Sequence, residues 1–412
     1  MTGPSRIWTD TVLPTTPPTS FSKNIDYLCV AGVWYQWSTK WNIVTPPFQG
    51  LKGDKGDKGD PGTSTVGSLG RIRFVGTESE LKLALADKSV TCINLYNDIT
   101  LTSEANILNA FNNPARMLNI VGNGCSLIDG TATGLKYLIG RTFATQADAD
   151  AAQSYAVNIS KLGLIGNGKT GIGIDLGSTY NSVIEQCSFT SLGTGLWLRF
   201  ALMTAVRNCM FTNNLTNGAV SDMGNWTGAS NSNSQSNHTR FEQCRVFAAD
   251  NSNAGFKFFA VSGNLVEQCI VEGGKVVNAI DFDSNGSGVV KDFTIHLTHV
   301  ETTCQNAIMK VRQDDGYVQV DKVFSQYKNV MVDATASAYP KIFVSNVPYL
   351  PTGSQFKWNS GGIRWVFNNM PSTFDASVAT NWANGAAPSY SRQDYHDPNG
   401  QQPAIKLADR KL

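Results

Sequence analysis

Four aspartates stand in stretches of alternating apolar and polar residues, where paired carboxylates could act as acid and base. They are Asp175, Asp222, Asp281 and Asp283. If the alternating stretches are neighbouring strands about 4.8 Å apart, Asp175 and Asp222, two strands apart, would be separated by about 9 to 10 Å. Inverting glycosidases use such separations to hold a water between the carboxyls. Asp281 and Asp283 form a second possible pair. The pattern therefore permits hydrolase or lyase chemistry, provided burial raises the pKa of one carboxyl.

The same aspartates also fit a structural role. Aligned strands would place two columns of residues on one outer face. One column reads Asp175, Arg199, Asp222, Phe259 and Asp283, and its neighbour reads Gly173, Trp197, Lys257, Asp281 and Met309. Opposite charges then neighbour one another, so cross-strand ion pairing on a solvated face is the simpler interpretation.

Carbohydrate binding requires less than catalysis: aromatic faces for sugar C–H groups, with polar side chains for hydroxyls. Trp197, Arg199 and Asp222 share the predicted face. Between Cys209 and Cys244 the chain carries about ten additional residues around Trp226, and insertions of this kind become loops on a flank where binding commonly resides. We therefore predict a glycan-binding site at Trp197, Arg199, Asp222 and Trp226, with weaker binding but unchanged melting for Trp226→Ala. The alternative is that Trp226 seals a trimer contact.

A repeated phrase must position these residues. It reads apolar, two polar residues, a small apolar residue or Cys, any residue, apolar. Its copies begin at Ile159, Ile184, Val206, Phe241, Val266, Val290 and Val320. Steps of 22 to 35 residues between copies are typical of a solenoid. The period-two alternation predicts parallel strands, hence an all-β, right-handed parallel β-helix.

The residue before the Cys position in each phrase is polar: Gln186, Asn208, Gln243, Gln268 and Asp292. We expect these side chains to stack in a ladder at a bend between strands. Cys187, Cys209, Cys244 and Cys269 occupy one inward position of successive turns, which favours reduced, buried thiols over disulfides.

The amino-acid composition limits the kinds of partner that the chain is expected to bind. The 412 residues carry 33 Lys and Arg against 32 Asp and Glu, a net charge of +1, which gives no reason to expect a nucleic-acid partner. The sequence shows no long apolar run, secretion signal or metal-ligand spacing, so we expect no membrane insertion, no metal and no cofactor.

The N-terminal part has a different character. Residues 1–20 read as an extended polar arm, and residues 26–37 as a β-hairpin. Trp34, Tyr35, Trp37 and Trp41 are more aromatic surface than a hairpin can bury, so they should contact a partner or copies of the chain. From Gly50 to Gly62, glycine recurs at every third position, as three chains around a crowded axis require. A flexible linker is the alternative.

The domains follow from these patterns. Residues 1–49 form the attachment arm and aromatic hairpin, 50–62 a collagen-like stalk, and 63–90 a neck with a capping helix that begins after Thr77. Residues 91–338 form the β-helix. The phrase disappears from Tyr339, so residues 339–412 are predicted to be a C-terminal β module that closes a trimer, or alternatively a glycan-binding module.

An aromatic hairpin followed by Gly-Asp-Lys triplets resembles the virion-proximal part of bacteriophage tail fibres. The capping helix, Ile99-Thr-Leu-Thr and turns of the type Asn208-Cys209-Met-Phe211 resemble the pectate-lyase-type right-handed β-helix of phage tailspikes. This resemblance implies a homotrimer in the virion tail, assembled in the host cytoplasm. It also implies docking on a tail protein through the N-terminal region and binding to a host surface polysaccharide. No catalytic motif of the family is present.

Three functions therefore remain open. The first is an adhesin that binds a surface polysaccharide without cleaving it. The second is a polysaccharide depolymerase, a hydrolase or lyase with carboxylates on the β-helix flank. The third, a purely structural fibre, does not explain the long loop at Trp226.

Overall fold

The computed structural model describes most of the chain from Arg71 onward and short segments before it. The described residues are 7–10, 14–16, 27–30, 33–37, 40–44, 71–107, 117–152, 156–168, 171–230, 233–259, 261–282, 292–311, 317–327, 329–335, 341–358, 364–372, 374, 391–394 and 406–407. The chain divides into two compact units, Met1–Gly67 and Ser68–Leu412.

The first unit contains a four-stranded sheet. Its strands are Ile7–Asp10, Tyr27–Val30, Val33–Trp37 and Trp41–Val44. The predicted hairpin is confirmed, because Val30 pairs with Val33 and the two strands run antiparallel. The arm is more ordered than the sequence suggested: Ile7–Asp10 pairs in parallel with Tyr27–Val30. The glycine triplets of residues 50–62 lie outside the described residues.

The second unit is a parallel β-solenoid of about nine turns, in which each turn contributes strands to three sheets. Sheet 1 contains Arg71–Val75, Val90–Leu95, Leu118–Val121, Val157–Ser160, Val183–Glu185, Ala205–Arg207, Arg240–Glu242, Leu265–Glu267, Phe293–His296, Tyr317–Asp321, Lys341–Ser345, Arg364–Asn368, Ser391–Asp394 and Lys406–Leu407. Sheet 2 contains Ile99–Leu101, Ser126–Asp129, Gly163–Ile165, Ser188–Thr190, Met210–Thr212, Arg245–Ala248, Ile270–Gly273, His299–Glu301 and Phe324–Ser325.

Sheet 3 carries the longest strands and the candidate site residues. It contains Ala105–Asn106, Tyr137–Arg141, Ile172–Tyr180, Thr194–Leu202, Asn217–Asp222, Ala254–Phe258, Val276–Phe282, Cys304–Val311, Val330–Ala334 and Gln355–Trp358. A separate two-stranded sheet pairs Ser236–Asn237 with Val261–Ser262. The all-β parallel solenoid predicted from the repeat is therefore confirmed; its right-handed sense stays a prediction.

Stacked side chains fill the interior of the solenoid. Phe189 and Phe211 stack with ring centroids 4.7 Å apart, and Phe258 and Phe282 follow at 5.0 Å. The four stacked cysteines are buried free thiols, and Cys92, Cys125 and Cys304 are also free. Each stacked thiol lies 3.4 to 3.6 Å from a main-chain carbonyl of the preceding turn, close enough for weak donation. The predicted stack of reduced thiols is confirmed.

The bend between sheets 1 and 2 has left-handed backbone in every phrase. Gln186, Asn208, Gln243 and Gln268 have φ between 51° and 54°. Such φ values are uncommon outside glycine, and asparagine adopts them most readily. The ladder is observed where Gln243 donates its side-chain amide to Gln268 over 2.9 Å.

One copy of the phrase was assigned to the wrong residues. Val266 pairs with Ile295 and Val271 with Val300, so the eighth turn reads Ile295 to Val300 rather than Val290 to Ile295. Its left-handed residue is Leu297, with φ 49°, whereas Asp292 precedes the strand. The two sets of residues are easily confused, because Val290 and Ile295 have the same spacing as Ile295 and Val300. In the predicted copy, Phe293 also stands at the Cys position of the phrase, and it is buried.

Within the described ranges, two helices accompany the sheets. The capping helix Glu78–Ala86 is confirmed, with a capping box between Thr77 and Glu80 and buried Leu81, Ala84 and Leu85. The other helix, Gln146–Ala152, is short and was not predicted from the sequence. No helix among the described residues is long and apolar enough to cross a membrane.

The winding continues past the predicted limit at residue 338. Lys341–Ser345 and Arg364–Asn368 extend sheet 1 in parallel, and Gln355–Trp358 extends sheet 3. The phrase became unrecognisable because aromatic residues replace Cys and Val in these turns. Trp365 and Phe356 are completely buried and pack edge to face with ring centroids 5.6 Å apart.

Candidate functional site

The outer face of sheet 3 carries charged residues in two columns. Strand pairing places Asp175 beside Trp197, while Arg199 stands between Gly177 and Asp222. The neighbouring positions of Arg199 and Asp222 were predicted correctly, but Asp175 belongs to the column of Trp197. The register is set by close backbone contact, since an added Cβ on Gly173 would lie 2.5 Å from the carbonyl oxygen of Gly195. The columns predicted from the sequence instead align Gly173 with Trp197 and Asp175 with Arg199.

Asp175 and Arg199 form a buried ion pair across two strands. The guanidinium Nε lies 2.7 Å from Oδ1 of Asp175, and Nη2 lies 3.5 Å from Oδ2. Only 1% of Asp175 and 6% of Arg199 is exposed. The Arg199 guanidinium also lies 3.9 Å above the centroid of the Trp197 ring, which is a cation–π geometry. Cross-strand ion pairing is therefore present here, but the pair is buried rather than on a solvated face, and the Asp175 carboxylate has no open face for a substrate.

Asp222 has the protonation behaviour of a general acid. Burial raises its pKa from 3.8 to about 6. The main-chain N–H of Met223 donates to Oδ1 over 2.7 Å, and this bond, the charges of Arg199 and Lys257 and the Trp197 side chain limit the rise. Asp222 itself stays partly exposed at the end of its strand. Near neutral pH such a group can exchange a proton.

The second predicted pair, Asp281 and Asp283, is only half described. Asp281 is 5% exposed and accepts a hydrogen bond from the Asn278 amide over 3.2 Å. Asp283 lies outside the described residues. Asp281 belongs to a column in which charge alternates through five consecutive strands: Lys257, Asp281, Lys310, Asp333 and Lys357. Its surroundings are those of a structural charge ladder.

Trp226 lies inside the molecule rather than on its surface. It is 6% exposed, and its ring packs against Phe143 at 5.4 Å and Phe200 at 6.4 Å between centroids. Its indole N–H donates to the side-chain carbonyl of Gln146 over 2.8 Å. The loop thus folds onto the short helix Gln146–Ala152. The prediction of an exposed stacking surface at Trp226 is wrong, because that helix, absent from the sequence interpretation, covers the ring.

Two of the remaining predicted glycan-binding residues, Trp197 and Asp222, are partly accessible, whereas Arg199 is buried. Trp197 is partly exposed beside Arg199 and Asp222. In the first unit, Tyr35 and Trp37 are partly buried, and Trp37 pairs with Trp41 and Cys29 with Trp34 across neighbouring strands. Within the described ranges, no group of three or more His, Cys, Asp or Glu residues is placed to hold a metal ion.

Sequence analysis missed a groove along the corner between sheets 2 and 3. Its volume is about 460 Å³, and it is lined by Gly168, Ser191, Asn213, Leu215, Ala248, Ala249, Asp250 and Gly274. The signal that could have found it is the recurrence of small residues just after most sheet 2 strands. Ser191 and Asn213 follow their strands at the same offset in consecutive turns.

Residues 72–253 match a family described as "putative pectate lyase-like adhesive domain". Among solved structures, ORF18 of Geobacillus virus E2 is similar at 12% identity and a TM-score of 0.46, over 95% of this chain and 73% of that chain. The SRRP of L. reuters 100-23 has 12% identity and a TM-score of 0.34, over 80% of this chain and 100% of that chain. No curated protein sequence matches. The family match makes surface adhesion the class of function to test.

Proposed function

We propose that this chain is a surface adhesin that binds a polysaccharide on a bacterial cell. The observation that carries the proposal is the match of residues 72–253, most of the first six turns, to an adhesive domain family. A solenoid suits this task, because consecutive turns repeat side chains along an extended surface to which a polymer can bind.

The outer face of sheet 3 supplies suitable chemistry for such binding. Trp197 offers a partly exposed ring, and the partly exposed Asp222 and Lys257 place charged hydrogen-bonding groups on the same face. Aromatic surface together with a few fixed polar groups is the usual lining of a ligand site. The ion pair with Asp175 holds Arg199 over the ring, so this part of the face is preorganised.

We further propose that the adhesin is a bacteriophage tailspike or tail fibre. The support is the order of sequence motifs, an aromatic hairpin, glycine triplets and then a capped solenoid. In this proposal the protein is a homotrimer in the virion tail, assembled in the host cytoplasm. Its N-terminal region, including Trp34, Tyr35, Trp37 and Trp41, docks on another tail protein, and the solenoid contacts the host.

The test is binding of fluorescently labelled full-length protein to a panel of bacterial strains. Cells of each bound strain are treated either with periodate, which oxidises sugar diols, or with a protease. Loss of binding after periodate but not after protease is the expected result. Loss after protease alone would indicate a protein receptor, and no binding to any strain would remove the adhesin proposal.

Depolymerase activity is the second candidate, and Asp222 is the observation that favours it. A carboxyl with a pKa of about 6 beside Arg199 can donate a proton to a leaving oxygen. The test is release of reducing ends or unsaturated sugars from the polysaccharide of a bound strain. Activity lost in Asp222→Asn, with cell binding retained, would support catalysis. Intact polymer after prolonged incubation with the wild-type protein would exclude it.

A further inference from the structure

The corner groove between sheets 2 and 3 follows the solenoid across consecutive turns. Gly168, Ser191 and Asn213 come from three successive turns, Asp250 from the next and Gly274 from the one after. With strands about 4.8 Å apart, the groove runs for about 19 Å. Each turn advances along the solenoid axis by about 4.8 Å. This advance is comparable to the length of one sugar ring along a polysaccharide.

The groove exists because the bends there consist of small residues in left-handed backbone. Gly168, Ser191 and Asn213 have φ of 76°, 55° and 52°. Ala248, Ala249 and Gly274 continue the lining without bulky side chains. An added Cβ on Gly274 would approach Oδ1 of Asp250 to 2.6 Å, so the wall at this point requires glycine.

Polar side chains in the groove have bonding capacity to spare. Within the described part of the chain, the Ser191 hydroxyl and the Asn213 amide have no side-chain hydrogen bond to protein. Asp250 accepts the main-chain N–H of Lys275 at Oδ1 over 2.9 Å, which fixes its carboxylate and leaves Oδ2 for a ligand. Leu215 is 44% exposed beside them and offers an apolar surface.

The charge of the lining selects among glycans. Asp250 is the single charged residue among those that line the groove. A carboxylate accepts hydrogen bonds from sugar hydroxyls but repels uronic acids and other anionic sugars. The groove therefore combines hydroxyl-binding groups with a charge that disfavours acidic polymers.

We infer that the corner groove binds a neutral segment of the cell-surface polysaccharide, with sugar hydroxyls on Ser191, Asn213 and Asp250 and a sugar C–H face on Leu215. This inference rests on the proposed adhesin function and adds a second contact, separate from the face of sheet 3. It extends beyond residue 253, where the family match ends, to Gly274.

The experiment uses oligosaccharides released by partial acid hydrolysis from the polysaccharide of a bound strain and separated into neutral and acidic fractions. Calorimetry measures their affinity for the full-length protein. The test variant is Ser191→Gly with Asn213→Gly. Glycine suits the left-handed backbone of both positions, so the fold is retained while the polar groups are removed. Asn208→Gly is the matched control, because Asn208 has φ 51° and is exposed at the other corner of the same turn.

The expected result is about tenfold weaker binding of neutral fragments to the double variant, since two hydrogen bonds are lost, and no change for Asn208→Gly. Asp250→Asn should increase the affinity for acidic fragments. If the wild type binds fragments and the double variant binds them equally well, the groove is not the site although the adhesin function stands. If the wild type binds neither fragments nor cells, both proposals fail.

Discussion

At the scale of single residues, protonation of Asp222 makes the charge on the outer face of sheet 3 depend on pH. Its pKa is raised from 3.8 to about 6, mainly by burial, so the folded protein binds this proton more tightly than the unfolded chain. The carboxylate therefore destabilises the fold above pH 6, and this penalty diminishes as the pH falls through 6 toward 4.

We predict that Asp222→Asn raises the unfolding temperature at pH 8 relative to the wild type, because the amide carries no charge at any pH. At pH 5 the gain should be smaller. Thermal unfolding at both pH values is the measurement, with the exposed Asp250→Asn as a control expected to show no such difference. An equal effect of Asp222→Asn at pH 5 and pH 8 would contradict the raised pKa.

The stacked cysteines should be chemically inert in the folded protein. Burial raises the pKa of Cys304 to about 12, and the pKa values of Cys187 and Cys244 are also far above normal, the first through its contact with Cys209 and the second through burial. Because the thiolate is the reactive form, these residues resist alkylation.

Iodoacetamide labelling followed by mass spectrometry tests this expectation. Cys92 and Cys125 are partly exposed and should label in the native protein, while Cys187, Cys209, Cys244, Cys269 and Cys304 should label only after denaturation. Rapid native labelling at Cys209 or Cys244 would mean that the solenoid opens on the timescale of the reaction.

At the scale of elements, the loop around Trp226 and the short helix Gln146–Ala152 form one packed unit on sheet 3. The helix is anchored from below by Arg141, which is fully buried and donates to the carbonyl oxygens of Ser178 at 2.7 Å and Ala152 at 2.8 Å. Trp226 then joins the loop to the helix through Gln146. An insertion that reads as a binding loop is thus a structural cover.

Trp226→Ala should therefore destabilise the protein by about 3 to 5 kcal/mol, the usual cost of removing a buried tryptophan. Hydrogen exchange should increase in residues 146–152, and the unfolding temperature should fall. Tyr180→Ala provides the control, since Tyr180 is 40% exposed on sheet 3. Unchanged stability together with weaker cell binding would restore the glycan-binding interpretation of Trp226.

The sequence predicted those elements whose signal is local and repeated. The phrase around Cys187, Cys209, Cys244 and Cys269 specified parallel turns because the same side chains must fill the same layer in each turn. The capping helix was equally clear from Thr77 and Glu80. The cover over Trp226 could not be predicted, because its contacts join residues separated by 80 positions, Gln146 and Trp226.

The register between neighbouring strands was the other feature at this scale that could not be predicted from the sequence. Asp175 and Arg199 form their ion pair diagonally, in a register that also brings Gly173 close to Gly195. The pKa of Asp222 depends on burial and on the neighbours that this register creates, so sequence analysis could name the residue as a candidate acid but could not select it among four aspartates.

At the scale of the whole molecule, the proposed trimer depends on residues 50–62, where glycine occupies every third position. A collagen-like axis accepts only glycine there, because any side chain collides with the two other chains.

We predict a mass of three times 44.5 kDa by sedimentation equilibrium at micromolar concentration. Gly53→Ala, Gly56→Ala and Gly59→Ala combined should lower the temperature at which the trimer dissociates. The matched variant, with Lys52, Lys55 and Lys58 changed to Ala, keeps every glycine and should remain closer to the wild type. A monomeric wild-type protein would remove the trimer, and equal effects of the two variants would mean that the triplets act as an ordinary linker.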